Sequence, residues 1–174
     1  DAIDESGKIT QIGKEMAPLP LEPNLARAMF EAKKLGCVEE CATVAAMLSV
    51  DRLEVADSSS HKNSRDHHRG NPLQKIVSAD AFALGDHIVF LRTFERWQRE
   101  RYRRDFAREY SLSERGLEFA KEVRRQLLES MRSLDDNDFV SSKRSREEEE
   151  QYNKKSERSR TKNLRKALAK GFIS

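Results

Sequence analysis

The segment Val38 to Ser49, VEECATVAAMLS, constrains the fold of this chain more than any other. Apart from Glu39, Glu40 and Thr43 it is apolar nearly all round, which marks a helix buried on most sides. Such a helix needs neighbours to cover it, and its alanines let them approach closely. The preceding segment supplies one. From about Pro23 to Lys34, the residues Leu25, Ala28, Met29, Ala32 and Leu35 recur at the spacing of a single helical face. Pro23 suits the first helical position, where a missing N–H costs nothing, and Gly36 reads as the residue that ends the helix. Two helices joined by two residues pack as neighbours.

Upstream, Thr10 sits where an N-cap belongs, and Ile12 and Met16 lie four apart on one face. Pro18-Leu19-Pro20 then holds the chain extended, because a residue before proline is pushed out of the α region. The stretch reads as a short helix, a rigid elbow and a second helix. Asp1-Ala2-Ile3 reads as the end of a helix already under way, so the chain is expected to be an excised piece of a longer protein.

Downstream, periodicity fails from Val50 to about Leu84. DSSSHKNSRDHHRGNP contains no apolar residue, and a long mobile loop is expected there. Asp86 is the expected N-cap of the next helix, whose apolar face is Ile88, Phe90, Leu91, Phe94 and Trp97 and which ends near Glu100. A shorter helix is expected over roughly Arg104 to Glu109. The longest opens at Ser113 and runs to about Ser133, with Leu117, Ala120, Val123, Leu127, Leu128, Met131 and Leu134 as its core stripe. Residues 135–162 are charged and of low complexity, a linker or insertion. A last short helix is expected over NLRKALAKGF, with Leu164, Ala167 and Leu168 on one face and Gly171 as its stop. No β-hairpin signal is visible. The fold class is all-α.

Charged residues make up 36% of the 174, against nearer a quarter in an ordinary globular domain, so only part of the chain builds a core. Cys37 and Cys41 lie four apart in an apolar helical stretch, which excludes a disulfide framework and makes a reducing compartment the default. No run approaches eighteen apolar residues, so no membrane span is expected. The net charge of +3 is uneven: five basic and eight acidic residues fall within 1–50, leaving +6 for the remainder. Between Arg92 and Glu109 there are seven arginines and four acids, with Phe94, Trp97, Tyr102 and Phe106 interleaved. Nucleic-acid surfaces use this composition for phosphate contact and base stacking, and a solvated helix face tied by Glu–Arg pairs has it too.

Little else points to chemistry. Cys37 and Cys41 with His61, His67 and His68 have zinc-ligand types, but two buried small hydrophobes fit the thiols better. There is no G-x-x-x-x-G-K-[ST], no G-x-G-x-x-G and no carboxylate pair in an apolar setting. Glu147 to Glu150 read as a solvated acidic block, and His87 as a half-buried, hydrogen-bonded side chain. No catalytic residue, cofactor site or metal site is expected in this chain.

Five segments in fixed order resemble the C-terminal helicase-associated region of DEAH-box RNA helicases. They are GKITQIGKEMAPLPLEPNLA (Gly7 to Ala26), Gly36 to Ser49, Gly85 to Trp97, Val123 to Leu127 and Leu164 to Phe172. The resemblance implies that 1–35 is the end of a winged-helix domain and 36–134 a helical, ratchet-like domain with the mobile loop 50–84. It implies further that 135–162 is a charged disordered linker and 163–174 a helix leading into a truncated OB-fold. ATP and Mg²⁺ would then belong to the RecA-like domains of the parent chain. The partners implied are single-stranded RNA, those RecA-like domains and a G-patch-type activator, with pre-mRNA splicing as the process and no membrane. This chain departs from the pattern at Phe106-Ala107, where relatives usually carry Trp-Cys, and in 50–84 and 135–162, where no residues are matched to the pattern.

In the family the long ratchet helix faces the RNA strand, so the resemblance makes Lys121, Arg124, Arg125 and Arg132 the RNA-binding candidates. Lys121 and Arg124 rank first because they flank the apolar stripe. Arg125 and Arg132 share their face with Glu122 and Glu129. Arg124 has a second reading, as a buried hydrogen-bond donor to a neighbouring helix end. KRSR and KKSERSRTKNLRK are basic clusters of the kind import signals use, and a nuclear location is expected. The competing function is a non-catalytic helical interaction module whose charged linker docks partners.

Overall fold

The computed structural model describes residues 2–4, 6–53, 73–137 and 157–172. Among these residues the fold is all-α: α1 (Gln11–Met16), α2 (Pro23–Leu35), α3 (Val38–Leu48), α4 (Leu73–Ile76), α5 (Ala79–Ala83), α6 (Asp86–Arg99), α7 (Arg103–Glu109), α8 (Glu114–Asn137) and α9 (Glu157–Phe172). Two compact units form, one from residues 1–45 with 124–174 and the other from 46–123.

In the first unit the chain starts in a tight turn, which corrects the helix end expected at Asp1-Ala2-Ile3. Ile3 and Ile9 form an isolated antiparallel bridge, flanked by Asp4 N→Lys8 O at 2.8 Å and Thr10 N→Ala2 O at 2.9 Å. The Asp4 carboxylate organises the turn by accepting from Ser6 Oγ at 2.7 Å and from the Ser6 and Lys8 amides at 2.9 Å. These bonds, led by the Ser6 hydroxyl, hold its pKa below the usual carboxylate range. Thr10 caps α1 by accepting from Gly13 N at 3.2 Å. After the Pro18-Leu19-Pro20 elbow, where Leu19 is buried, Pro23 opens α2. Gly36 closes it at φ 65°, a left-handed conformation that a side chain makes costly.

α9 packs on α2 and corrects two expectations. It begins at Glu157 instead of near Asn163, because residues inside the charged run have tertiary partners. Thr161 is buried, and Arg160 Nη1 lies 3.4 Å from the buried Glu40 carboxylate. Nor does Gly171 stop the helix, which continues to Phe172. Gly171 is instead where α9 crosses α2 closely: a Cβ there would lie 2.5 Å from Asn24 O and 2.7 Å from Ala28 Cβ. Leu164, Ala167 and Leu168 fill the seam. Asn163 Nδ2 donates to Leu35 O at 2.9 Å, satisfying a carbonyl at the end of α2.

In the second unit, α4 and α5 correct the loop expected over 50–84. Leu73, Ile76 and Ala81 are buried there, in helices too short to display a 3.6-residue period, with Val77 buried between them. Residues 54–72 of that loop, and 138–156 of the linker expected over 135–162, lie outside the described residues. Leu53 O accepts from Ser113 N at 2.7 Å. The N-cap position of α6 is Gly85 at φ 105°, and Asp86 is the first residue inside the helix, which corrects its expected role as cap. Ile88, Val89, Leu91, Phe94 and Trp97 are buried, and the Phe94 and Trp97 rings meet at 5.6 Å. Phe106 and Ala107, the departure from Trp-Cys, are both buried core residues. Ser113 caps α8, its Oγ accepting from Gly116 N at 3.0 Å.

Candidate nucleic-acid interface

A surface that binds a polyanion needs cations whose charge is available and a frame that fixes them. The four candidates on α8 differ in both respects. Arg124 is the most constrained. Its Nε donates to Thr43 Oγ1 at 2.9 Å, and its Nη2 lies 3.3 Å from Glu39 Oε2. Thr43 in turn donates to Glu39 O at 2.8 Å, so a guanidinium, a hydroxyl and a backbone carbonyl form one chain onto α3. With its side chain 23% exposed, Arg124 is a part-buried donor, and it reaches Thr43 in the middle of α3 instead of the helix end named in its second reading.

The other three lie further out. Lys121 is exposed and pairs with Glu118 at 3.1 Å, one turn back. Arg125 bonds Glu129 at i,i+4 with both side chains about half exposed, as the shared face with Glu129 led one to expect. Arg132 is exposed. Pairs of this kind are weak, about 0.3–0.5 kcal/mol on a helix surface, so a phosphate can displace the carboxylate at little cost.

The arginine-aromatic run at 92–109 divides into two sets. Arg92 pairs with Glu95 at 2.9 Å on α6. Arg96 ties three elements together: Nη1 donates to Ile76 O at 2.7 Å, and its Cζ lies 5.9 Å from the Phe106 ring centroid and 5.6 Å from that of Tyr110. Arg103 covers the buried Trp97 ring at 5.2 Å and donates to Gln98 O at 3.2 Å. Arg96 and Arg103 belong to the frame, and Arg92 is part-buried beside Glu95 on its own helix. Arg99, Arg101, Arg104 and Arg108 are exposed. The run thus combines arginines that tie elements together with arginines exposed on the surface. Composition could not divide them, because the division depends on which arginines find a carbonyl or ring from another element.

Among the described residues no three His, Cys, Asp or Glu side chains converge where a metal ion could be held. Cys37 and Cys41 are free thiols and both are buried; burial, with Cys37 beside it, pushes the Cys41 thiol up to about 12. His61, His67 and His68 lie outside the described residues. No described helix is long and apolar enough to cross a membrane. An open cleft in the second unit is lined by Met47, Leu48, Val50, Leu53, Leu73 and Phe90 with Asp51 and Arg52.

Comparison with known proteins adds to this geometry. The family described as helicase associated domain (HA2), winged-helix, matches residues 1–21, and that described as helicase associated domain (HA2), ratchet-like, matches residues 22–90. This chain belongs to the HA2 helicase-associated family. The two HA2 matches meet just before Pro23 opens α2, whereas the resemblance placed the change of domain between residues 35 and 36. A curated relative, the pre-mRNA-splicing factor ATP-dependent RNA helicase prp22 of Schizosaccharomyces pombe, is 30% identical over 130 residues, 75% of this chain and 10% of the relative. This HA2 chain thus spans about a tenth of that relative's length.

Proposed function

We propose that this chain is the accessory, RNA-channel part of an ATP-dependent RNA helicase and supports RNA unwinding or ribonucleoprotein remodelling in pre-mRNA splicing. The observation that carries the reading is the pair of HA2 matches in consecutive order over residues 1–90, together with a splicing helicase related over 75% of the chain. In this reading the RecA-like domains of the parent hold ATP and Mg²⁺, and single-stranded RNA runs past α8. Lys121, Arg125 and Arg132 contact phosphates there, while Arg124 secures α8 to α3. A G-patch-type activator is a further partner, and the nucleus is the compartment.

The test is binding of a labelled oligouridine to the 174-residue chain between 50 and 200 mM salt. Phosphate contacts by the three α8 cations contribute about −2 to the log–log slope, since each contact on a single strand contributes about −0.7. Binding that is weak and indifferent to salt would instead favour a helical protein-interaction module.

A further inference from the structure

The α6–α7 elbow has a composition and a geometry that neither the fold nor the α8 cations explain. α6 ends at Arg99, Glu100 turns extended at φ −71° and ψ 133°, and α7 begins at Arg103. From Arg99 to Arg108 there are five arginines and two acids, a net +3 in ten residues. Arg103 turns inward onto the Trp97 ring and Gln98 O, fixing the elbow to the core. The others turn outward. The side chains of Arg99 and Arg104 are 78% and 74% exposed, and their carboxylate partners, Glu95 and Glu114, stand at 3.9 and 3.6 Å, at the long edge of an ion pair.

At the tip stands Tyr102. It occupies the N-cap position of α7 without making a side-chain cap bond, and it is 65% exposed. Arg101 Cζ lies over its ring at 5.6 Å. A large aromatic held this far out contributes little to the core, and Phe106 and Trp97, on either side of it in sequence, supply that packing. An exposed ring backed by a guanidinium and flanked by weakly paired arginines suits a flexible polyanion that also carries flat, apolar bases.

We propose that the α6–α7 elbow is a second single-stranded RNA contact, separate from the α8 cations. Tyr102 stacks on a base, while Arg99, Arg101 and Arg104 take the neighbouring phosphates. An acidic peptide would satisfy the arginines but would leave the ring without a role. The inference rests on the RNA reading given above and adds to it a specific aromatic platform.

Anisotropy of a labelled twelve-nucleotide oligouridine on the full 174-residue chain tests it. Tyr102→Ala is expected to weaken binding at least about fivefold, the loss of one base stack, with no change in Tm. Tyr102→Phe keeps the ring and is expected to stay within about twofold. Arg101→Ala and Arg104→Ala each flatten the salt slope by about 0.7. If Tyr102→Ala binds like the parent chain while Lys121→Ala and Arg132→Ala weaken it, the elbow assignment fails and the α8 reading stands. If the unsubstituted chain does not bind oligouridine, both fail. If a polyglutamate peptide of equal charge binds as tightly and shows the same dependence on Tyr102, the site takes acidic protein and the proposal is overturned.

Discussion

Arg124 shows how a single side chain chooses between function and frame. On α8 it flanks the apolar stripe, which is as far as the sequence carries it. What decides its role is Thr43, 81 residues away, together with Glu39. Arg124→Ala removes a charged donor from the buried Thr43 hydroxyl, and a cost of about 1–2 kcal/mol is expected, at the low end for charged hydrogen bonds because Glu39 is 62% exposed. Chemical denaturation reads that cost directly, and oligouridine affinity should stay within about twofold. An unchanged Tm with weakened RNA binding would return Arg124 to the RNA surface. Arg124→Lys keeps the charge but loses the planar fork, so it should fall between the two. Cys41 makes a parallel case. With its thiol raised to about 12, iodoacetamide at pH 8 should not label it in the folded chain and should label it once the chain is denatured.

At the scale of elements, the long amphipathic helices α2, α3, α6 and α8 were legible because their apolar faces repeat over three turns or more. α4 and α5 were not: four and five residues give no period, and their helical state depends on burial of Leu73, Ile76 and Ala81. The start of α9 was hidden in a charged run whose order comes from distant groups, Glu40 and Leu35 O. Gly171 is the sharpest case, since sequence offers a stop and the structure a close crossing. Propensity alone favours Gly171→Ala by about 1 kcal/mol in a helix. The Cβ would nevertheless meet backbone at Asn24 O, 2.5 Å away, so a net loss of about 1–3 kcal/mol is expected in urea denaturation. A stabilised variant would show that α9 does not cross α2 there. The same pairing is pH-sensitive through Glu31, which accepts from Lys34 at 2.7 Å and Lys170 at 3.0 Å. Its pKa is lowered by the Lys34 bond first and the Lys170 bond second, so the folded chain binds its proton less readily than the unfolded chain does. The contribution is therefore present at neutral pH and is lost as pH falls through the lowered pKa, below the ordinary 4.5. Glu31→Gln should cost less than about 1 kcal/mol at pH 7, since both lysines are well exposed, and the gap to the parent chain should close in acid.

For the whole molecule, the all-α class and the HA2 resemblance were both legible, because five ordered segments constrain a fold more tightly than any one motif. Phosphoryl transfer is almost entirely positioning: backbone amides and a lysine cradle the phosphates, and carboxylates hold Mg²⁺ against them. The sequence contains no G-x-x-x-x-G-K-[ST], and the described residues bring no three potential metal ligands together. Among the described residues, arginines such as Arg96, Arg103, Arg124 and Arg125 are engaged by carbonyls, rings and carboxylates of the chain's own elements. The purified 174-residue chain is therefore expected to bind oligouridine and to leave ATP intact, with or without RNA. Phosphate release measured across a titration of oligouridine distinguishes the two activities in one experiment. Turnover that rises with RNA and co-elutes with the chain would mean that a triphosphate site is built from residues assigned here to the frame, and the accessory reading would fall.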